Sequence, residues 1–118
     1  MNSIKSSLLL FAIGTLGSCQ QNPAEIYIST DGNDNNPGTK ERAVATIEKA
    51  FELASPLSGM KTVHIIFEDG IYYLSETVVL GAGNSGSEKH PVICQASSEG
   101  GAVISGGQKL DLDWEAFR

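Results

Sequence analysis

Apolar and polar residues alternate along "EIYIST", residues 25–30. Ile26 and Ile28 fall on one side, and Glu25, Tyr27 and Ser29 on the other. A period of two predicts a half-buried strand. The period then changes. In "ERAVATIEKAFELASP", residues 41–56, Val44, Ile47, Phe51 and Ala54 recur at i, i+3, i+7 and i+10, the spacing of one helical face. The predicted helix starts near Arg42 or at Thr46, a favourable N-cap with Glu48 in the first turn, and is closed by Pro56.

From Lys61 the texture becomes that of short strands. "TVHIIF", "IYYL", "TVVL", "VICQA" and "AVISG" are rich in β-branched and aromatic residues and are separated by glycine- and serine-rich turns. No helical period bridges them. Two all-β architectures fit such a pattern: an antiparallel sandwich and a coiled parallel solenoid. The loops are very unequal, and hairpin signals such as Asn-Gly between paired strands are missing. Both features favour the solenoid.

Between the first strand and the helix lies "STDGNDNNPGTKE", residues 29–41, whose composition suggests a calcium loop. The template wants oxygen ligands at positions 1, 3 and 5, glycine at 6 and glutamate at 12. Counted from Asp31, the ligands Asp31, Asn33 and Asn35 fit, but Asn36 stands at 6 and Arg42 at 12. Counted from Asp34, Pro37 and Ala45 fail in turn. A sharply turned connector is the better reading, because Asp and Asn bond their own backbone and Pro37 fixes its φ.

The first 18 residues carry one lysine, Lys5, then the apolar run "LLLFAIG", and read as an export signal. The run is far shorter than the ~20 residues of a membrane-spanning helix. "LGSC" resembles the bacterial lipoprotein signal, which implies cleavage before Cys19, lipidation of Cys19, a tether over 19–24 and a folded part over 25–118. Loss of Lys5 takes the formal net charge from −6 to −7. An acidic chain without basic clusters argues against nucleic acid as a partner and against anionic polysaccharide held by bulk charge. Cys94, the other cysteine, sits in an apolar run, where a buried, inert thiol is the expectation.

The order of features adds what the pattern lacks. "IYISTDGNDNNPGTKERAVATIEKAFELA", "VHIIFEDGIYYL", "NSGSEKHPVICQAS" and "AVISGG" closely resemble the start of secreted bacterial right-handed parallel β-helix proteins of the pectate-lyase-like group. Glycoside hydrolases and polysaccharide lyases are common there. The resemblance implies a mainly β fold: an N-terminal cap with one helix, followed by the first coils. Members of the group are several times longer, so the chain is expected to be the N-terminal part of a larger polysaccharide-degrading protein, lipid-anchored at the bacterial cell envelope and inactive by itself. A non-catalytic surface protein that binds glycans or partner proteins is the alternative.

No residue here matches the group's catalytic positions, which stand on later coils, and no cofactor is implied, calcium belonging to longer members. Glu68 and Asp69 are adjacent and so point to opposite faces of a strand, reading as turn residues before Gly70. Asp111, Asp113 and Glu115 alternate with Leu110, Leu112 and Trp114 as on an exposed edge, with calcium binding as the sharper reading. His64 and His90 each lack a second histidine at ligand spacing. Ser85 and Ser105 form no nucleophile elbow, and "GAGNSG" lacks the lysine of a phosphate loop.

Overall fold

The computed structural model describes residues 22–117. Cys19, the expected export signal and the first half of the expected tether lie outside them. The described chain is mainly β, with two parallel sheets and one α-helix. Its elements are β1 (Ala24–Ile28), α1 (Ile47–Ala54), β2 (Val63–Phe67), β3 (Gly70–Tyr73), β4 (Val92–Ala96) and β5 (Ala102–Ser105). A 3-10 turn over Ser55–Leu57 follows α1, and another spans Ala82–Asn84.

All three strand pairings are parallel, which removes the antiparallel sandwich. One sheet runs β1-β2-β4 and the other β3-β5. In the first, Ala24, Val63 and Val92 lie side by side, as do Ile26, Ile65 and Cys94, and Ile28, Phe67 and Ala96. The strand period sends these rows to one face, and that face is the core. Ile28, Val63 and Ile65 are fully buried. Ile47, Ala50, Phe51 and Ala54 of α1 close the core from one side.

The β2-to-β3 turn is held by Tyr72. Its ring meets Phe67 edge-on, with centroids 5.4 Å apart. Its hydroxyl donates to the Ile28 carbonyl at 3.0 Å and to the Glu68 carbonyl at 2.6 Å. Three elements therefore converge on one buried phenol.

The helix begins at Ile47, with Thr46 as its N-cap accepting from the Lys49 amide at 3.3 Å. Val44 is not part of it. That residue is fully buried and bridges to Ile28 in parallel fashion. The Val44 amide donates to the Tyr27 carbonyl, and the Tyr27 amide donates to the Gly38 carbonyl at 2.8 Å. Residues 38–44 thus cover the outer edge of β1, a strand edge that would otherwise offer unpaired backbone groups. Gly38 permits this route: its φ is 84°, and a Cβ there would press on Ile26 and Leu53.

The opposite side of the stack is uncovered. Tyr72 and Ile104 share a register position, yet Tyr72 is 6% exposed and Ile104 54%. Cys94 is likewise exposed, against the expectation of a buried thiol. It shares the inward row of Ile65, but β4 has no further strand beside it among the described residues. "TVVL", expected as a strand, forms none; Val78 packs against the core, while Val79 is 82% exposed. Among the described residues it has no ladder partner.

Candidate functional site

The loop over residues 29–41 is an anchored connector. The Asp34 carboxylate accepts three hydrogen bonds: from the Ala45 and Thr46 amides, each at 2.9 Å, and from the Thr46 hydroxyl at 2.8 Å. Asn33 accepts from the Asn35 amide, and the Asn36 side-chain amide donates to the Ala43 carbonyl. Partial burial pushes the Asp34 carboxyl up, but the bonds from Thr46 and Ala45 outweigh it and hold the group below its ordinary value. These oxygens are spent on amides that would otherwise be orphans at a helix start. Among the described residues, no three His, Cys, Asp or Glu side chains are grouped so as to hold a metal ion.

Beside this connector, the outer face of the β1-β2-β4 sheet forms an open groove of about 620 Å³. The alternation along β1 turns Tyr27 and Ser29 outward, and Gln95 lies two strands across in the Tyr27 row. Asp31 and Lys40 come from the connector, and Glu68 and Asp69 from the turn after β2. Apart from Ile66 and Ala96, the lining is one aromatic ring, an amide, hydroxyls, three carboxylates and a single ammonium group. Such a surface offers many hydrogen bonds to a hydroxyl-rich ligand and little enclosure.

Two groups in and beside the groove are already engaged. The Tyr27 hydroxyl donates to Glu25 at 3.0 Å, and that bond, with weaker desolvation and neighbouring carboxylates, raises the phenol above its ordinary value. Asp69 accepts from the hydroxyls of Ser97 and Ser98, tying the turn after β2 to the turn after β4. A Cβ at Gly101 would displace the Asp69 carboxylate and the Ser98 hydroxyl from their present positions. Asp69 therefore has the turn role the sequence assigns it, and it also lines the groove.

The other candidates are scattered. His64 stands on the outer face, with Nδ1 3.4 Å from the Gln95 side-chain oxygen. Asp111, Asp113 and Glu115 are exposed in a segment without regular structure. Of the groove residues, Tyr27 and Gln95 follow from strand alternation once the pairing is known. Lys40 carries no such signal, because an irregular loop delivers it.

A comparison with solved structures finds similarity to a chain described as "Glycoside hydrolase". Identity is 32% and the TM-score 0.66, over 72% of this chain and 15% of that one. No protein-family model matches the chain. No curated protein sequence matches it either. The chain thus has a glycoside hydrolase-like fold and spans about 15% of the length of the hydrolase it resembles.

Proposed function

We propose that residues 25–118 are the N-terminal cap and first coils of a right-handed parallel β-helix of the pectate-lyase-like kind, within an exported, lipid-anchored protein that degrades polysaccharide. The observation that carries the reading is the register. Successive strands stack in parallel from Val63 to Val92 and from Gly70 to Ala102. The circuits from Ala24 to Val63, Val63 to Val92 and Gly70 to Ala102 take 39, 29 and 32 residues, inside the roughly 20–45 of stacked structural repeats. A parallel pair needs a long crossover, and here no helix supplies it between β2 and β4. The likeness to a glycoside hydrolase supports a carbohydrate substrate.

In this reading α1 and residues 38–44 close the first coil, and the groove beside Tyr27 lies on the coil's outer face. The resemblance to this group puts the catalytic groups on later coils. Cys19 is the lipid attachment point, and the lipid holds the protein at the bacterial envelope.

The test is a product screen on the longest natural polypeptide that carries residues 25–118, over plant and algal polysaccharides. New reducing ends without unsaturated sugar mark a hydrolase, and unsaturated uronate ends mark a lyase. Absence of cleavage on every glycan would overturn the proposal.

A further inference from the structure

The parallel register brings the starting ends of three strands together. The Ala24 amide donates to the Thr62 carbonyl at 2.9 Å, and the Val63 amide to the Pro91 carbonyl at 3.1 Å. The residues that precede each strand therefore meet at one end of the sheet: Pro23, then Lys61 and Thr62, then Lys89 and His90. With His64 they line a pocket of about 260 Å³ that holds two ammonium groups, two imidazoles and, among the described residues, no carboxylate.

Local structure holds this patch in place and leaves its charge available. The Ser87 and His90 backbones exchange hydrogen bonds at 3.0 and 3.2 Å, and the Gly86 amide donates to the Ser58 hydroxyl at 2.9 Å. Lys89 is thus exposed on a closed turn pinned to the chain after α1. Among the described residues, neither lysine has a carboxylate within 4.0 Å. Glu25 lies beside His64 in register, but its carboxylate accepts from the Tyr27 hydroxyl at 3.0 Å, which draws it along β1 away from the strand starts. Glu88 is exposed and outside the pocket lining. At the other end of the same strands, the groove beside Tyr27 sets Asp31, Glu68 and Asp69 against Lys40 alone. A chain of formal net charge −6 therefore has a basic pole where it enters β1.

That entry point adjoins the anchor proposed above. Pro23 is four residues from Cys19, and an extended chain spans at most about 3.5 Å per residue, so the two lie within about 14 Å. We propose that Lys61, Lys89, His64 and His90 form a membrane-facing patch, which docks on the anionic phosphate headgroups of the lipid surface that holds Cys19. Docking fixes which way the anchored domain points: the strand starts face the lipid, and the acidic groove faces away from it. The geometry rests on the lipid anchor at Cys19 and owes nothing to the activity on polysaccharide.

The test uses the protein expressed with its own export signal and placed in vesicles of phosphatidylcholine, alone or mixed in equal parts with phosphatidylglycerol. Lysines are acetylated with limiting reagent, and peptide mass spectrometry reads the rate at each one. Lys61 and Lys89 should react at least about threefold more slowly on the phosphatidylglycerol vesicles, Lys40, Lys49 and Lys109 should not, and salt should remove the difference. Equal slowing at all five lysines, or none, would overturn the patch whether or not Cys19 carries lipid. The mass of the N-terminal peptide reports acylation of Cys19 separately. An unmodified Cys19 with Lys61 and Lys89 still protected would remove the anchor and support the patch. Protection of the two lysines by a soluble polyuronate and not by vesicles would assign the pocket to an acidic glycan and overturn the proposal.

Discussion

Replacing Asp34 with alanine tests whether the asparagine- and aspartate-rich connector is a structural clamp. The substitution removes three hydrogen bonds from one carboxylate, all at the start of α1. A bond to a charged group contributes about 1.5–3 kcal/mol net, less when water competes. Two of the three are exposed, so their combined loss is about 2–4 kcal/mol. Asp34→Asn keeps an acceptor for the two amides but loses the charge and the acceptor for the Thr46 hydroxyl. It should cost about 1 kcal/mol. Thr46→Ala removes the N-cap as well, about another 1 kcal/mol, and should couple to Asp34→Ala in a double-mutant cycle. Urea unfolding followed by circular dichroism measures the wild type, the three single variants and the double variant. A cost below about 0.5 kcal/mol for Asp34→Ala would refute the clamp. So would a calcium-dependent rise in stability that Asp34→Ala abolishes, since it would make the connector a metal site.

Further consequences can be checked with the same preparation. The lowered Asp34 carboxyl contributes stability above its unfolded value of 3.8 and loses it as pH falls through the lower folded value, so Asp34→Asn should flatten that acid limb of the stability profile. Tyr72→Phe deletes the donor to the Ile28 and Glu68 carbonyls and should cost about 1–3 kcal/mol with the ring packing kept, read as a shifted urea midpoint at constant slope. Ile65→Ala in the fully buried row should cost about 2–5 kcal/mol, whereas Val79→Ala, at an exposed position, should stay within about 0.5 kcal/mol. Cys94 should react with a thiol reagent in the folded protein, at a rate that climbs through pH values above 9.0 because desolvation raises the thiol; labelling only after unfolding would show that the β4 side is covered.

Much of this fold is legible in the sequence because local pattern and tertiary pairing agree. β1 follows from the alternation of Ile26 and Ile28, and the later strands from β-branched runs cut by glycine turns. The disagreements arise where a partner decides. Val44 has the spacing of a helical face, but its backbone finds a better use against β1, so the helix starts at the Thr46 cap. "TVVL" has strand composition without a ladder partner in the structure. Cys94 sits in an apolar run yet lies on a strand with an open neighbour position. The groove was less legible still. Strand parity gives Tyr27 and Gln95, but pairing is needed to bring Asp31 and Lys40 of the connector beside Glu68 and Asp69.

The fold requires successive strands to stack in parallel, 29 to 39 residues per circuit, and one measurement addresses that directly. In isotope-labelled protein, cross-strand proton contacts between β2 and β4 report both direction and register. A parallel pair in this register gives amide-to-Hα contacts that advance together, from the His64 and Ile93 pair to the Ile66 and Gln95 pair. Strong Hα-to-Hα contacts across β2 and β4, with residue numbers running in opposite senses, would mean an antiparallel pair and contradict it.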